Sequence, residues 1–237
     1  MCEGISDSCP GGAAIANEIV IAVVRGLFFH QPIHDGPLER PKRDKNIKVA
    51  AKNRIIKSDW SQLRLKDRIR PGLRVLFVGI NPGVRSAITG HHFAGYSNRF
   101  WKLLNESRLV PEPITYEDDD RLPEWGFGIT NLIARPSPGI DALRPVEYLE
   151  GWKVLDRKIR RHHPQVIAFV GVTLYRAILP SFDLAPSVPG ASVVGAQPIK
   201  IHGARVFVLP NPSGRNANFT YHEMLDAFTS LRLCLKA

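Results

Sequence analysis

A short apolar run that stops at an asparagine constrains the fold of this chain more than any other feature. Residues 74–80 read Arg-Val-Leu-Phe-Val-Gly-Ile and are followed directly by Asn81, Pro82 and Gly83. A run this short and this rich in β-branched residues predicts a strand buried on both faces. Because Pro and Gly end such a strand, we expect it to deliver Asn81 to the edge of a sheet.

The same pattern of strand followed by helix repeats along the chain after residue 72. Helices are predicted to begin at Ser97, Pro145, Thr173 and Thr220, from an N-cap-like Ser or a Pro in the first turn. Strands alternating with helices predict a parallel sheet covered on both faces, that is, an α/β fold. We therefore expect a three-layer α/β/α sandwich with a central, mainly parallel sheet. Its predicted strands are residues 74–80, 127–133, 165–170 and 205–209, and the stretch 180–197 is predicted to be a loop.

Two distant segments match one family. The first holds residues 74–83, then Gly-His-His-Phe at 90–93 and Ser-Asn-Arg-Phe-Trp-Lys at 97–102, and the second is Val-Leu-Pro-Asn-Pro-Ser-Gly-Arg at 208–215. Together they resemble the mismatch-specific uracil-DNA and thymine-DNA glycosylases, a branch of the uracil-DNA glycosylase superfamily. The resemblance extends from about residue 73 to about residue 233. It implies a glycosylase domain at 71–237 after an N-terminal extension of residues 1–70.

The resemblance also implies a function and a set of site residues. A mismatch-specific glycosylase flips uracil, or thymine or another damaged base, out of a pair with guanine and hydrolyses its N-glycosidic bond, initiating base excision repair. Asn81 matches the catalytic asparagine, which positions the attacking water because an amide cannot act as a strong general base. The base pocket is assigned to Ile80, Ser86, His92, Phe93, Asn98 and Asn131. The loop that enters the DNA is assigned to Asn211, Pro212, Ser213, Gly214 and Arg215, with Arg215 as the side chain that fills the gap.

Some of these residues also have a purely structural explanation. Asn81 alone fits an Asx-turn before Pro82, Phe93 fits an ordinary core, and Asn98 fits a helix cap. The Pro-Ser-Gly segment fits a plain turn between strand and helix. The motif context favours the functional interpretation of Asn81 and Phe93.

Ser86 departs from the thymine-active pattern. The fifth residue after the catalytic asparagine is a smaller Ala in thymine-accepting members that this chain resembles. A hydroxyl there is expected to crowd the thymine methyl, which favours uracil. The segments around His92 and Asn131 resemble the thymine-active branch instead, so the signals for specificity are mixed.

The charge of the chain favours a polyanionic partner. There are 32 Lys and Arg residues against 22 Asp and Glu, a net charge of +10. Residues 40–70 hold twelve basic and three acidic residues, a net charge of +9. This segment is predicted to be a basic arm that neutralises phosphates with little sequence preference, or else a solvated linker. Residues 112–124 carry six acids and one arginine and are predicted to form a surface loop facing away from DNA.

Metals, cofactors and membranes are not expected. Cys2, Cys9 and Cys234 lack metal-type spacing, and adjacent histidines at 91–92 and 162–163 point in different directions on any regular element. Residues 13–29 are apolar but contain charges and are too short for a comfortable membrane span, so they are predicted to be a packing helix or a non-native extension. We expect a monomer that acts on double-stranded DNA with G·U or G·T mispairs, in a bacterial-type cytoplasm or a nucleus, and is not secreted.

Two other functions remain compatible with these features. One is a non-catalytic module that binds mismatched or abasic DNA, which an intact Asn81 disfavours. The other is a nucleosidase acting on small molecules, which the basic arm and Arg215 disfavour. Lysine is absent from the matched segments except Lys102, so a Schiff-base route to strand cleavage is not expected.

Overall fold

The computed structural model describes residues 60–182 and 193–236. Within these ranges five strands form one sheet in the order β2-β1-β3-β5-β4. The first four pair in parallel, and β4 runs antiparallel to β5 at one edge. This arrangement confirms the predicted mainly parallel sheet. The strands are β1 (Val75–Gly79), β2 (Phe127–Asn131), β3 (Val166–Val170), β4 (Gly195–Ile201) and β5 (Ala204–Leu209).

Helices cover both faces of the sheet. The α-helices are α1 (Val84–Thr89), α2 (Phe100–Glu106), α3 (Pro145–His162), α4 (Val172–Ile178) and α5 (Tyr221–Cys234), and 3₁₀ turns lie at Trp60–Gln62, Tyr116–Trp125, Ile140–Ala142 and Leu179–Phe182. Side chains of α2 and α5 form one apolar core with alternate strand residues such as Phe77. Side chains of α3 and α4 form a second core with the intervening residues such as Val78. Two cores on opposite faces make the three layers that the sequence predicts.

The helix starts follow local capping chemistry. At the start of α5, the Thr220 hydroxyl accepts a hydrogen bond from the Glu223 amide, and the Glu223 carboxylate accepts one from the Thr220 amide. The predicted starts at Pro145 and Thr220 are confirmed, and α4 begins one residue before Thr173. The predicted start at Ser97 is wrong, because α2 begins at Phe100 after a loop.

Two elements were not predicted from the sequence. Residues 195–197, assigned to a loop, are the first residues of β4. This strand lies at the edge of the sheet, so its burial alternates, and its register shifts between Gln197 and Lys200, around Pro198. It therefore shows no continuous apolar run. Helix α1 is only six residues long and was also missed.

The prediction that residues 112–124 form a surface loop is wrong for Asp119. The segment Tyr116–Trp125 forms 3₁₀ turns, and the Asp119 side chain is fully buried. Its carboxylate accepts hydrogen bonds from Arg68 Nε at 2.9 Å and from the His92 amide at 2.8 Å. These partners come from segments that are distant in the sequence. The acidic composition of residues 112–124 alone therefore predicted an exposed side chain.

The packed part of the chain begins before residue 71. Arg68 and Ile129 exchange backbone hydrogen bonds of 3.0 and 2.9 Å, which extends the edge of the sheet beyond β2. The end of the predicted arm, at Arg68, therefore pairs with the sheet. Residues 1–59, including the rest of the predicted arm and the apolar stretch 13–29, lie outside the described residues. Across the described ranges, every helix is too short or too polar to span a bilayer.

Candidate active site

Loops from four parallel strands enclose one cavity. It has a volume of about 600 Å³ and lies beyond the carboxyl ends of β1, β2, β3 and β5. Ligands of doubly wound sheets bind at this edge, because the loops that follow successive strands converge there. Nine of the twelve predicted site residues line the cavity: Asn81, Ser86, His92, Phe93, Asn98, Asn131, Asn211, Ser213 and Arg215.

The side-chain amide of Asn81 has a defined orientation. Its Nδ2 lies 2.8 Å from Ser137 Oγ, 3.0 Å from the Pro82 carbonyl and 3.4 Å from the Arg135 carbonyl. All three are acceptors here, because the Ser137 hydroxyl donates its own hydrogen to the Gly139 carbonyl at 2.7 Å. Among the described residues, none donates a hydrogen bond to Asn81 Oδ1. The amide therefore offers the cavity an unoccupied acceptor.

Ser137 was not identified from the sequence. It is buried, with 1% of its surface exposed, and belongs to the loop that follows β2. This loop runs beside Asn81, since the Ser137 amide donates to the Pro82 carbonyl at 3.1 Å. A serine between prolines after a predicted strand was the available signal. That signal does not show that Ser137 contacts Asn81. The contact arises because the ends of β1 and β2, more than 50 residues apart in the sequence, pair in the sheet.

An ion pair fixes the same loop to α3. The guanidinium of Arg135 donates from Nε and Nη2 to the Glu147 carboxylate at 2.8 and 2.9 Å. The Arg144 amide donates to the same carboxylate at 2.9 Å. These hydrogen bonds lower the pKa of Glu147 to about 2, with the Arg135 bond as the largest cause. The bidentate geometry restrains the loop that carries Ser137.

Phe93 presents an aromatic ring to the cavity. It is stacked on Phe100, with ring centroids 4.2 Å apart and planes 20° apart, so one face is covered by the core. Its backbone φ of 51° is uncommon for a non-glycine residue and marks a sharp turn. The next residue is held by Ser86, whose Oγ accepts a hydrogen bond from the Ala94 amide at 3.0 Å. The buried Ser86 hydroxyl thus supports the loop that carries Phe93.

His92 and Asn131 form the polar wall beside Phe93. Only 1% of the surface of His92 is exposed, and burial lowers its pKa. The pairing of β2 with β1 places Asn131 opposite Gly79. A Cβ atom at Gly79 would lie 2.6 Å from Asn131 Oδ1, so only glycine leaves room for this amide.

The loop after β5 forms the opposite rim. A Cβ atom at Gly214 would lie 2.5 Å from the Cβ of Ser97, so glycine allows the two loops to touch. The exposed Arg215 reaches across the mouth and donates from Nη2 to the Pro138 carbonyl at 3.3 Å. Beside it, Asn211 Oδ1 accepts from the Ser213 amide at 3.1 Å. The loop is therefore an ordered rim with an arginine over the cavity.

Three predicted site residues lie elsewhere, and one has a second role. The Ile80 side chain packs in the core of α3 and α4, because alternation along β1 turns it to that face. Pro212 and Gly214 support the rim without lining the cavity. Asn98 lines the cavity, and its Oδ1 also accepts a hydrogen bond from the Phe100 amide at 2.9 Å, although the N-cap of α2 is Arg99.

Ionisable side chains do not form a metal site in the described residues. No group of three or more His, Cys, Asp or Glu residues in those ranges is arranged to hold an ion. His91 lies 3.1 Å from the Asp119 carboxylate. His162 and His163 lie at the C-terminal end of α3, where burial lowers the pKa of His162.

Comparison with known proteins assigns the family. The model of the uracil DNA glycosylase superfamily matches residues 67–232, which include every lining residue named above. The chain belongs to this superfamily. Its matched range begins at Asp67, consistent with packing of that segment onto the sheet.

One relative in the superfamily is the "G/U mismatch-specific uracil DNA glycosylase" of Schizosaccharomyces pombe, which is 36% identical over 199 residues. The match covers 77% of this chain, and the chain spans only 61% of the length of that relative. A solution NMR structure of a protein from Methanosarcina acetivorans, provisionally described as a uracil DNA glycosylase, has a TM-score of 0.48 and 15% identity. That likeness covers 74% of this chain and 99% of the other.

Proposed function

We propose that this protein is a monofunctional DNA glycosylase that hydrolyses the N-glycosidic bond of uracil mispaired with guanine. The observation that carries the proposal is the Asn81 amide, held by Ser137 so that Oδ1 is the free acceptor in a cavity walled by an aromatic ring. A similar activity appears in the name of the Schizosaccharomyces pombe relative. Thymine and other damaged bases opposite guanine are further candidate substrates.

The geometry supports a water-positioning role for Asn81. Its Oδ1 can accept one hydrogen of a water molecule and leave an oxygen lone pair to attack the sugar carbon. The amide cannot take the proton as a strong base, so bond breaking must run ahead of water attack. The sugar then acquires oxocarbenium character while the pyrimidine leaves as an anion, and the proton that the attacking water loses passes through solvent to that anion. We expect bases with more acidic N1 positions to leave faster.

The other site residues divide between holding the base and holding the duplex. Phe93 offers one face for stacking with a flipped pyrimidine, and Asn131 offers an amide to its polar edge. Arg215 lies over the mouth, where a long cationic side chain can fill the gap in the duplex and contact phosphates. No lysine lines the cavity among the described residues, which agrees with hydrolysis without strand cleavage. We propose double-stranded DNA as the partner and a monomer as the active form.

Base release from defined duplexes tests this function. The protein is incubated with duplexes that carry G·U, A·U or G·T and with single-stranded DNA that contains uracil, and alkali then reveals abasic sites. We expect release from G·U above all, with strand breaks only after alkali. Breaks before alkali would indicate a lyase. Binding without release would indicate a binding module, and a preference for free nucleosides would indicate a nucleosidase.

A further inference from the structure

A segment before the first strand forms part of the cavity wall. We call residues 65–68 the strap. Leu65 lines the cavity, and Arg68 pairs with the backbone of Ile129 in β2. Asp67 anchors the strap twice, accepting from Thr130 Oγ1 at 2.6 Å and pairing with Lys158 Nζ at 2.6 Å. The strap is thus attached to the domain at the back of the base pocket.

The strap fixes the tautomer of His92. The Lys66 carbonyl lies 3.1 Å from His92 Nε2, and a carbonyl oxygen can only accept a hydrogen bond. The hydrogen of the neutral imidazole must therefore reside on Nε2, which leaves Nδ1 as an acceptor. Burial lowers the pKa of His92 and so favours the neutral ring. The hydrogen bond to the Lys66 carbonyl and the charges of Asp119 and Asp67 oppose this shift, and the charge of Arg68 adds to it.

The tautomer in turn orients Asn131. Its Nδ2 lies 3.4 Å from His92 Nδ1, and only the amino side of the amide can donate to that acceptor. Its Oδ1 is then directed over Gly79, where a Cβ atom would lie 2.6 Å from Oδ1 and 3.3 Å from the Phe93 ring. No donor among the described residues reaches Asn131 Oδ1, and this acceptor therefore lies next to the stacking surface.

A fixed amide distinguishes pyrimidines that a rotating amide does not. Uracil and thymine carry a hydrogen on N3, whereas N3 of cytosine is an acceptor. An amide oxygen that faces N3 accepts a hydrogen bond from uracil or thymine, but it repels the N3 lone pair of cytosine. An amide free to turn by 180° would place its NH₂ there and accept cytosine.

We propose that the strap locks the Asn131 amide through the tautomer of His92 and so selects pyrimidines with a hydrogen on N3. This proposal rests on the function proposed above and assigns a positioning role to Lys66, through its carbonyl, and to Asp67, through its anchoring contacts. The strap precedes residues 74–83, the first segment that resembles the family. It acts on base choice without touching the reacting bond.

Asp67→Ala provides the test, with Lys66→Ala as the matched control. The control removes an exposed side chain next to Asp67 but keeps the carbonyl that His92 needs. The first measurement is the pair of ¹⁵N chemical shifts of the His92 imidazole, which report the tautomer without any catalysis. The wild type and the control should show the Nε2–H form alone, and Asp67→Ala should show a mixture.

The second measurement compares single-turnover release of uracil and of 5-fluorocytosine, each opposite guanine. The fluorine makes cytosine a better leaving group, so that its release can be measured. Loss of one positioning hydrogen bond should lower the ratio of uracil to fluorocytosine release by roughly twofold to tenfold in Asp67→Ala. The control should keep the wild-type ratio.

Thr130→Val covers the case in which Asp67→Ala does not fold. It removes one anchor of the strap with little change in buried volume and should shift both measurements in the same direction by less. A single Nε2–H tautomer in the anchor variants, or equal effects in Lys66→Ala, would overturn the proposal. Because the chemical shifts need no base release, they test the lock even if the glycosylase function is wrong.

Discussion

Ser86→Ala separates two consequences of one buried hydroxyl. Ser86 lines the cavity, and its hydroxyl accepts a hydrogen bond from the Ala94 amide at 3.0 Å. Removing it should give room to the thymine methyl, worth about 1–3 kcal/mol, or roughly tenfold to two-hundredfold in the ratio of G·T to G·U rates. It should also leave the Ala94 amide without its partner, which costs roughly 1–3 kcal/mol and loosens the loop that carries Phe93.

Single-turnover rates on G·T and G·U duplexes distinguish these effects, because the loop effect is common to both bases and cancels in the ratio. We expect the G·U rate of Ser86→Ala to fall while the ratio rises. Ser86→Cys is the matched control, since a thiol keeps bulk at this position but is a poor acceptor. It should lower the G·U rate without raising the ratio. An unchanged or lower ratio in Ser86→Ala would show that the hydroxyl does not face the base.

Three further predictions concern the surroundings of the cavity. Ser137→Ala should lower the single-turnover rate by roughly fivefold to a hundredfold, because the Asn81 amide loses the partner that orients it; an equal loss of duplex affinity would contradict this role. Phe93→Ala should cost roughly 1–3 kcal/mol of base stacking, read as weaker binding and a lower rate, and an unchanged rate would make the ring a core residue only. The free energy of unfolding should fall by roughly 1–3 kcal/mol as the pH drops from about 4.5 toward 2. The reason is that the folded-state pKa of Glu147 is lowered to about 2, so its stabilising charge is lost on protonation. Denaturation of Glu147→Gln as a function of pH should lack that part of the decline.

The sequence predicted the parts of this molecule that depend on local pattern. Short apolar runs bounded by Gly, Pro or Asn gave the four parallel strands, and cap residues gave the starts near Pro145 and Thr220. Edge strand β4 was not predicted because it is buried on one side only. The burial of its residues therefore alternates, and the strand includes Pro198 and Lys200. A run of apolar residues is the signature of a central strand and not of an edge.

The candidate site was predictable only where one segment carries the signal. Asn81 and Phe93 stand in compact motifs and meet Asn211, Ser213 and Arg215, from a third compact motif, at one cavity. Ser137 and the strap were missed because their relation to the cavity arises from pairing between distant segments. Ile80 was assigned to the base pocket by the family resemblance, although strand alternation turns its side chain to the core of α3 and α4.

The most direct test of the central claim is the effect of Asn81→Ala on a G·U duplex. Single-turnover base release and duplex affinity are measured on the same preparation. The amide positions water but holds no phosphate, so we expect release to be abolished while the dissociation constant for the duplex changes by no more than a few-fold. A variant that retains most of the wild-type rate would contradict the assignment of Asn81 as the residue on which hydrolysis depends.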